Sequence, residues 1–180
     1  MILGTQKLLA LVKTIKLVEN LAKRELTTPE GAGFDLRVGD IYCISGGIAF
    51  LGIDERETPS MELLAHYTQK EKTTFIFKPG EYHIITTIEK INLPHDITVN
   101  FKPRTTTFRS GLHVRSGNVA PGYCGALSFA VVNHGPIPVK VELGARIIHA
   151  QFYIVDGEGN PYRGQWQGGR VTTKGKEKQV

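Results

Sequence analysis

Val119-Ala-Pro-Gly-Tyr-Cys-Gly-Ala-Leu-Ser-Phe-Ala-Val-Val-Asn-His-Gly-Pro136 carries an unbroken β-prone run, 125–132, between two strong turn signals. Pro121-Gly122 punctuates it in front and His134-Gly135-Pro136 behind. It therefore reads as one strand and its turns. Outward from it the arrangement recurs, with β-prone runs at 33–36, 40–44, 73–77, 82–88, 97–102, 139–143 and 146–155. Between them stand Pro79-Gly80, Leu93-Pro94-His95-Asp96 and Asp156-Gly157-Glu158-Gly159-Asn160. Many short strands with close turns predict an all-β fold, either a barrel or a jelly-roll-like sandwich.

Three segments depart from that pattern. From Gln6 to Lys16, Leu8, Leu9, Leu11, Val12 and Ile15 recur at helical spacing, with Lys7, Lys13 and Lys16 on other faces. This predicts one short N-terminal helix capped by Thr5. The charged, weakly patterned stretch 54–72 reads as an excursion with one helical turn at 61–66. The end, 171–180, holds Lys174, Lys176 and Lys178 and almost no apolar side chain, so it reads as a flexible basic tail.

Composition excludes several classes. At 180 residues and 41% hydrophobic, the chain has the material for one globular core without staples. Cys43 and Cys124 cannot make a disulfide framework, and no CxxC pair suggests structural zinc. No apolar run is long enough to span a bilayer. The opening Met1-Ile2-Leu3-Gly4 leads into a lysine-spotted amphipathic stretch rather than a secretory leader. The expected setting is soluble, reducing and cytoplasmic, away from membranes. The net charge of +5 fits an anionic partner without identifying it.

Familiar catalytic motifs are missing. The sequence contains no GxxxxGK[ST], no GxGxxG after a strand and no HExxH. Pro121-Gly-Tyr-Cys124 resembles half of a zinc nucleobase-deaminase signature, but no HxE precedes it and no second Cys follows. The six histidines, at 66, 83, 95, 113, 134 and 149, are scattered, and no metal ligand is assigned.

Three polar clusters remain. Gly31-Ala-Gly-Phe-Asp35-Leu-Arg-Val-Gly39 sets an acid and a base in a strand between glycines. Pro103-Arg104-Thr105-Thr106-Thr107-Phe108-Arg109-Ser110-Gly111 concentrates guanidinium and hydroxyl groups, a mixture that suits phosphate oxygens. The same cluster also fits a polar strand end whose arginine pairs with an Asp or Glu. Asn160-Pro-Tyr-Arg-Gly-Gln-Trp-Gln-Gly-Gly-Arg170 fits a lid over a bound nucleotide, or an arm on a neighbouring subunit.

In this order the clusters resemble the dCTP deaminase/dUTPase superfamily, and most nearly the archaeal-type dUTPases of the dCTP deaminase family. The 31–39 segment resembles the family's first motif, and Arg104-Thr-Thr-Thr-Phe-Arg109 its RSSLxR motif. Val119-Ala-Pro-Gly-Tyr-Cys-Gly125 resembles the [IV]DPG[FWY]xG hairpin, and Gly144-Ala-Arg-Ile-Ile148 the strand that follows the family's turn. Asn160-Pro-Tyr-Arg-Gly-Gln-Trp-Gln-Gly168 resembles the NPYRGxYQG tail. A register starting the second motif at Arg109-Ser110-Gly111-Leu112 leaves too few residues before Pro121, so Arg104 is preferred.

The resemblance implies a distorted β jelly roll or barrel, with residues 1–170 forming a single dUTPase-like domain before the basic tail 171–180. It also implies a homotrimer with shared sites, a deoxynucleoside triphosphate substrate (dUTP or dCTP) and Mg2+ on the phosphates. Arg104, Thr105, Thr106 and Arg109 would hold phosphates, and Tyr123 would pack on the deoxyribose. Tyr162, Arg163, Gln165 and Gln167 would close over base and triphosphate.

Two positions depart from the family pattern. Ala130 stands where the deaminases carry the Glu that activates water, which disfavours deamination. Ala120 stands where the hairpin Asp of the dUTPases handles the attacking water. No acid lies between Thr105 and Val141. Asp35 is the substitute base nearest in motif, and Asn118 could orient water without deprotonating it. Three functions follow in descending order: a dUTP diphosphatase, a non-catalytic nucleotide-binding trimer and a dCTP deaminase. A polynucleotide-binding module ranks last, since lysines in a tail usually only solubilise.

Overall fold

A computed structural model of the chain describes residues 1–157 and 159–179. Glu158, in the expected 156–160 turn, and Val180, in the expected tail, lie outside the described residues. The helices are α1 (Thr5–Ile15), α2 (Lys23–Thr27) and α3 (Thr105–Arg109). The strands are β1 (Val18–Glu19), β2 (Phe34–Gly46), β3 (Phe50–Leu51), β4 (Glu55–Glu57), β5 (Ser60–Ala65), β6 (Thr74–Phe77) and β7 (Tyr82–Asn92). They continue as β8 (Ile97–Pro103), β9 (Leu112–Arg115), β10 (Cys124–Asn133), β11 (Val139–Glu142), β12 (Arg146–Ile154) and β13 (Glu177–Lys178).

The main sheet runs β8-β12-β2-β7-β10-β9, with β1 beside β7 and β5 beside β2. Its two ends meet at one bridge. Val99 N–H donates to Val119 O at 3.2 Å, and Val119 N–H returns the bond to Val99 O at 3.0 Å. The sheet is thereby nearly closed into a barrel, and the expected all-β barrel with a short N-terminal helix is what the chain forms. Among the described residues no helix is long and apolar enough to cross a membrane.

β2 makes the closure possible. Its first half pairs with β12 through Phe34 to Arg37, and its second half with β7 and β5 through Val38 to Gly46. The handover falls at Gly39, where an added Cβ would meet Thr86 O at 3.2 Å. A Cβ there would crowd the partner backbone, which would have to give by a few tenths of an ångström. The separate runs expected at 33–36 and 40–44 are one strand, whose pairing with β7 shifts register between Val38 and Ile41. Inside, Phe34 meets Phe152 edge-on at 6.1 Å and Phe101 meets Phe129 at 5.0 Å. Ile41, Ile85, Val131 and Ile148 are fully buried around them.

The structure corrects four local expectations. The helix starts at Thr5, with Gly4 as its cap and no side-chain capping bond. The segment 61–66 is not a helical turn but lies mostly within edge strand β5. Most of its side chains are exposed, so the apolar alternation that would have marked a strand is missing. The Arg104 cluster holds a short helix, α3. The tail is docked: β13 pairs with β4, and Gln179 N–H donates to Asp54 O at 2.8 Å.

Candidate functional site

Residues 116–123 link β9 to β10 and carry the barrel-closing bridge. Thr98 Oγ1 fixes the link by donating to Val119 O at 2.7 Å. Tyr123 is buried and donates its hydroxyl to Ala126 O at 2.6 Å. Burial, with Tyr162 beside it, pushes the Tyr123 phenol up to about 12. It therefore stays protonated near neutral pH, offering a ring face and no base.

Residues 160–171 lie across this hairpin. Tyr162 N–H donates to Pro121 O at 2.7 Å, and Gly168 N–H to Cys124 O at 2.8 Å. Gln167 bridges the two segments: its Nε2 donates to Gly122 O at 3.1 Å, and its Oε1 accepts from Cys124 N–H at 3.2 Å. The Tyr123 and Tyr162 rings meet edge-on at 5.3 Å. Gly125 is required here because a Cβ would meet the Gly168–Gly169 backbone at 2.6 Å. The 160–171 segment is thus fastened to the hairpin of its own chain.

Beneath the lid is a cavity of about 500 Å³. Asn118, Tyr123 and Tyr162 line it, as does Ala130. Alternation along β10 sends Ser128 and Ala130 to this face and Leu127, Phe129 and Val131 to the other, although Leu127 and Phe129 still reach its wall. Ile44, Met61, Tyr82 and Ile84 complete the sheet side, while Thr58, Pro59, Trp166, Arg170 and Val171 complete the lid side. Arg170 is the sole charged side chain among the described residues that line it. Among the described residues no carboxylate does.

The other residues expected at the site lie elsewhere in the chain. Thr105, Thr106 and Arg109 are exposed on α3, Arg163 is exposed on the lid, and Ala120 is half-buried behind the hairpin turn. Gln165 does not line the cavity, and its Nε2 is buried without a partner among the described residues. Asp35 and Arg104 belong to a separate ion network. Asp35 Oδ2 accepts from Arg104 Nε at 3.0 Å and Arg146 Nη1 at 3.1 Å, while its Oδ1 meets His149 Nδ1 at 2.9 Å. Buried Glu25 joins it, taking Arg146 Nη1 at 3.0 Å, Arg24 Nη1 at 2.8 Å and the Asp35 N–H at 3.0 Å. The pairing of Arg104 with an acid is thus realised.

Burial pushes the Asp35 carboxyl up, but the His149 hydrogen bond and the charges of Arg104, His149 and Arg146 outweigh it and hold the group below its ordinary value. A carboxylate so held is a weak base. Its depressed value also stabilises the fold above the unfolded-state value near 4, and that contribution is lost as pH falls through the folded-state value. Melting curves from pH 6 to about pH 2 are therefore expected to fall less steeply for Asp35→Asn than for the wild type. An equal slope would remove Asp35 from the acid response.

A family model described as dCTP deaminase-like matches residues 2–155. The chain belongs to the dCTP deaminase-like family. It is 32% identical over 143 residues to a probable deoxyuridine 5'-triphosphate nucleotidohydrolase of Methanothermobacter thermautotrophicus, covering 79% of this chain and 89% of that protein. It is 31% identical over 165 residues to a dCTP deaminase of Pyrococcus furiosus, covering 91% and 92%. Among solved structures, the 2'-deoxycytidine 5'-triphosphate deaminase of Agrobacterium tumefaciens superposes with a TM-score of 0.65 at 19% identity. That match spans 85% of this chain and 47% of the longer one, and it bears on the fold alone.

Within this dCTP deaminase-like chain, several cavity residues escaped the sequence reading. Tyr82 and Ile84 sit two apart on β7, and Ala130 faces Ile84 across the ladder. Their period-two spacing was visible, but which face would be covered was not. Arg170 closed a quoted cluster without a role, and Thr58 and Pro59 lay in the stretch taken for an excursion.

Proposed function

We propose that this chain is a dUTP diphosphatase acting on Mg2+-bound dUTP, in a homotrimer whose sites draw on more than one subunit. The observation that carries the reading is the 160–171 lid, fastened over the 116–123 hairpin and roofing a cavity of about 500 Å³. That volume lies within the range of small-molecule sites. The wall is largely apolar and aromatic, which suits a base and sugar. Tyr123 would present its ring to the deoxyribose, and Tyr162, Arg163, Gln165 and Gln167 would close from the lid.

The phosphate-directed residues Arg104, Thr105, Thr106 and Arg109 do not line the cavity of their own chain. In the proposed trimer, α3 of one subunit serves the cavity of the next, bringing cations to an otherwise nearly uncharged pocket. Among the described residues no group of three or more His, Cys, Asp or Glu could hold a metal ion. The ion would then arrive on the substrate, held by its phosphate oxygens as Mg2+ commonly is. Water oxygen adds to the α-phosphorus, the bond to the β-phosphate oxygen breaks, and dUMP and pyrophosphate leave with the water's proton passing to solvent. Arg104 and Arg109 would stabilise the developing charge.

Ala120 and Ala130 favour a second reading, a nucleotide-binding protein that does not turn its ligand over. Incubation with dUTP or dCTP and Mg2+ separates the cases. Slow pyrophosphate release from dUTP, with no ammonia from dCTP, is expected. Saturable binding with neither product establishes the second reading, and ammonia from dCTP overturns both.

A further inference from the structure

The insertion between β2 and β5 and the end of the chain form a small sheet of their own, β13-β4-β3. Its strands are two or three residues long, too short to hold together through strand pairing alone. Side chains do the fastening. Thr58 Oγ1 lies 2.9 Å from Thr172 Oγ1 and accepts from Thr173 N–H at 2.9 Å, while Thr58 N–H donates to Thr173 Oγ1 at 3.0 Å. Lys176 Nζ sits 4.8 Å above the Phe50 ring.

The link to the lid is Arg170. Its guanidinium grips Glu177 with both arms, Nη1 to Oε2 at 3.2 Å and Nη2 to Oε1 at 2.5 Å. The same Nη1 donates to Gln165 O at 3.2 Å, and Nη2 to Thr172 O at 3.3 Å. One side chain thus ties the lid, the tail and the small sheet together while lining the cavity.

We propose that the β3–β4 insertion and the tail are a latch that holds the lid shut, with Arg170 and Glu177 as its positioning residues. Without the latch, the wall supplied by Thr58, Pro59, Arg170 and Val171 opens to water. The fork geometry demands arginine, because a lysine ammonium keeps the charge but cannot grip two oxygens and two carbonyls in one plane. The consequence for nucleotide affinity rests on the functional reading above. The latch itself does not.

Trp166 is the chain's one tryptophan and sits in the lid, so acrylamide quenching of its fluorescence reports lid closure without any ligand. Quenching is expected to rise at least about twofold in Glu177→Gln and in Arg170→Lys. Lys174→Ala is expected to leave it unchanged, since only the Lys174 backbone N–H meets Glu177. Calorimetric titration with Mg2+-dUTP is expected to show about tenfold weaker binding for Glu177→Gln, with a melting temperature near that of the wild type. Quenching and affinity both within twofold of wild type would overturn the latch. If the wild type binds no Mg2+-dUTP, the functional reading fails, and the ligand-free quenching series still decides the latch.

Discussion

Asp35→Ala is expected to destabilise the protein by about 3–5 kcal/mol, a fall in melting temperature of roughly 6–20 °C for a chain of this size. Asp35 is buried, and its two oxygens serve Arg104, Arg146 and His149. Arg24 Nη1 lies at 3.9 Å from the same carboxylate. Removing it leaves Arg104 and His149 without an acid partner among the described residues, and Arg146 with Glu25 alone. The cost comes from leaving charges unpaired where water is scarce, so it exceeds the net worth of any one pair. The network joins α2, β2, β12 and the start of α3, so α3 loses its anchor with it. Thermal melts followed by circular dichroism check the result. A shift below about 2 °C would mean that water reaches these cations in the folded protein.

Ala120→Asp is expected to raise pyrophosphate release from dUTP by at least about tenfold, since a positioned general base is worth about 10²–10⁴-fold. The site can receive the change. Ala120 is half-buried at the hairpin turn, its carbonyl is held by Tyr123 N–H at 3.4 Å, and the neighbouring Pro121 carbonyl is fixed by the lid. A carboxylate there adds the acid that the 105–141 stretch lacks without disturbing those bonds. Steady-state assays at saturating Mg2+-dUTP separate a gain in kcat, the expected outcome, from a change in KM alone. An unchanged kcat would mean that Ala120 faces away from the attacking water and that the base is supplied elsewhere.

How legible these features were in the sequence depended on how local their causes are. The strand at 125–132 was readable because turn residues bracket it and its side chains alternate. Its observed bounds, Cys124–Asn133, differ by a residue at each end. Asn118, Tyr123 and Tyr162 line one cavity because they flank turns that bring hairpin and lid together. The sequence reading missed α3, since a five-residue helix made of threonines, a phenylalanine and an arginine has no apolar period to display. It took Asp35 for a spare base because its partners are 69, 111 and 114 residues away in Arg104, Arg146 and His149. Only folding reveals that such an acid is already engaged. The tail misled for a similar reason: lysines and glycines look free until a distant insertion offers them an edge.

The hydrogen-bonded seam between Val99 and Val119 has a consequence for how the molecule breathes. The loop that closes the barrel is the same loop that walls the cavity and receives the lid. Local opening of the binding region and opening of the barrel are therefore one cooperative event rather than two. Whatever occupies the cavity is linked thermodynamically to the integrity of the whole sheet, and its stabilising effect grows with the logarithm of its concentration once the cavity is filled. In this protein, holding a ligand and staying folded draw on the same few hydrogen bonds.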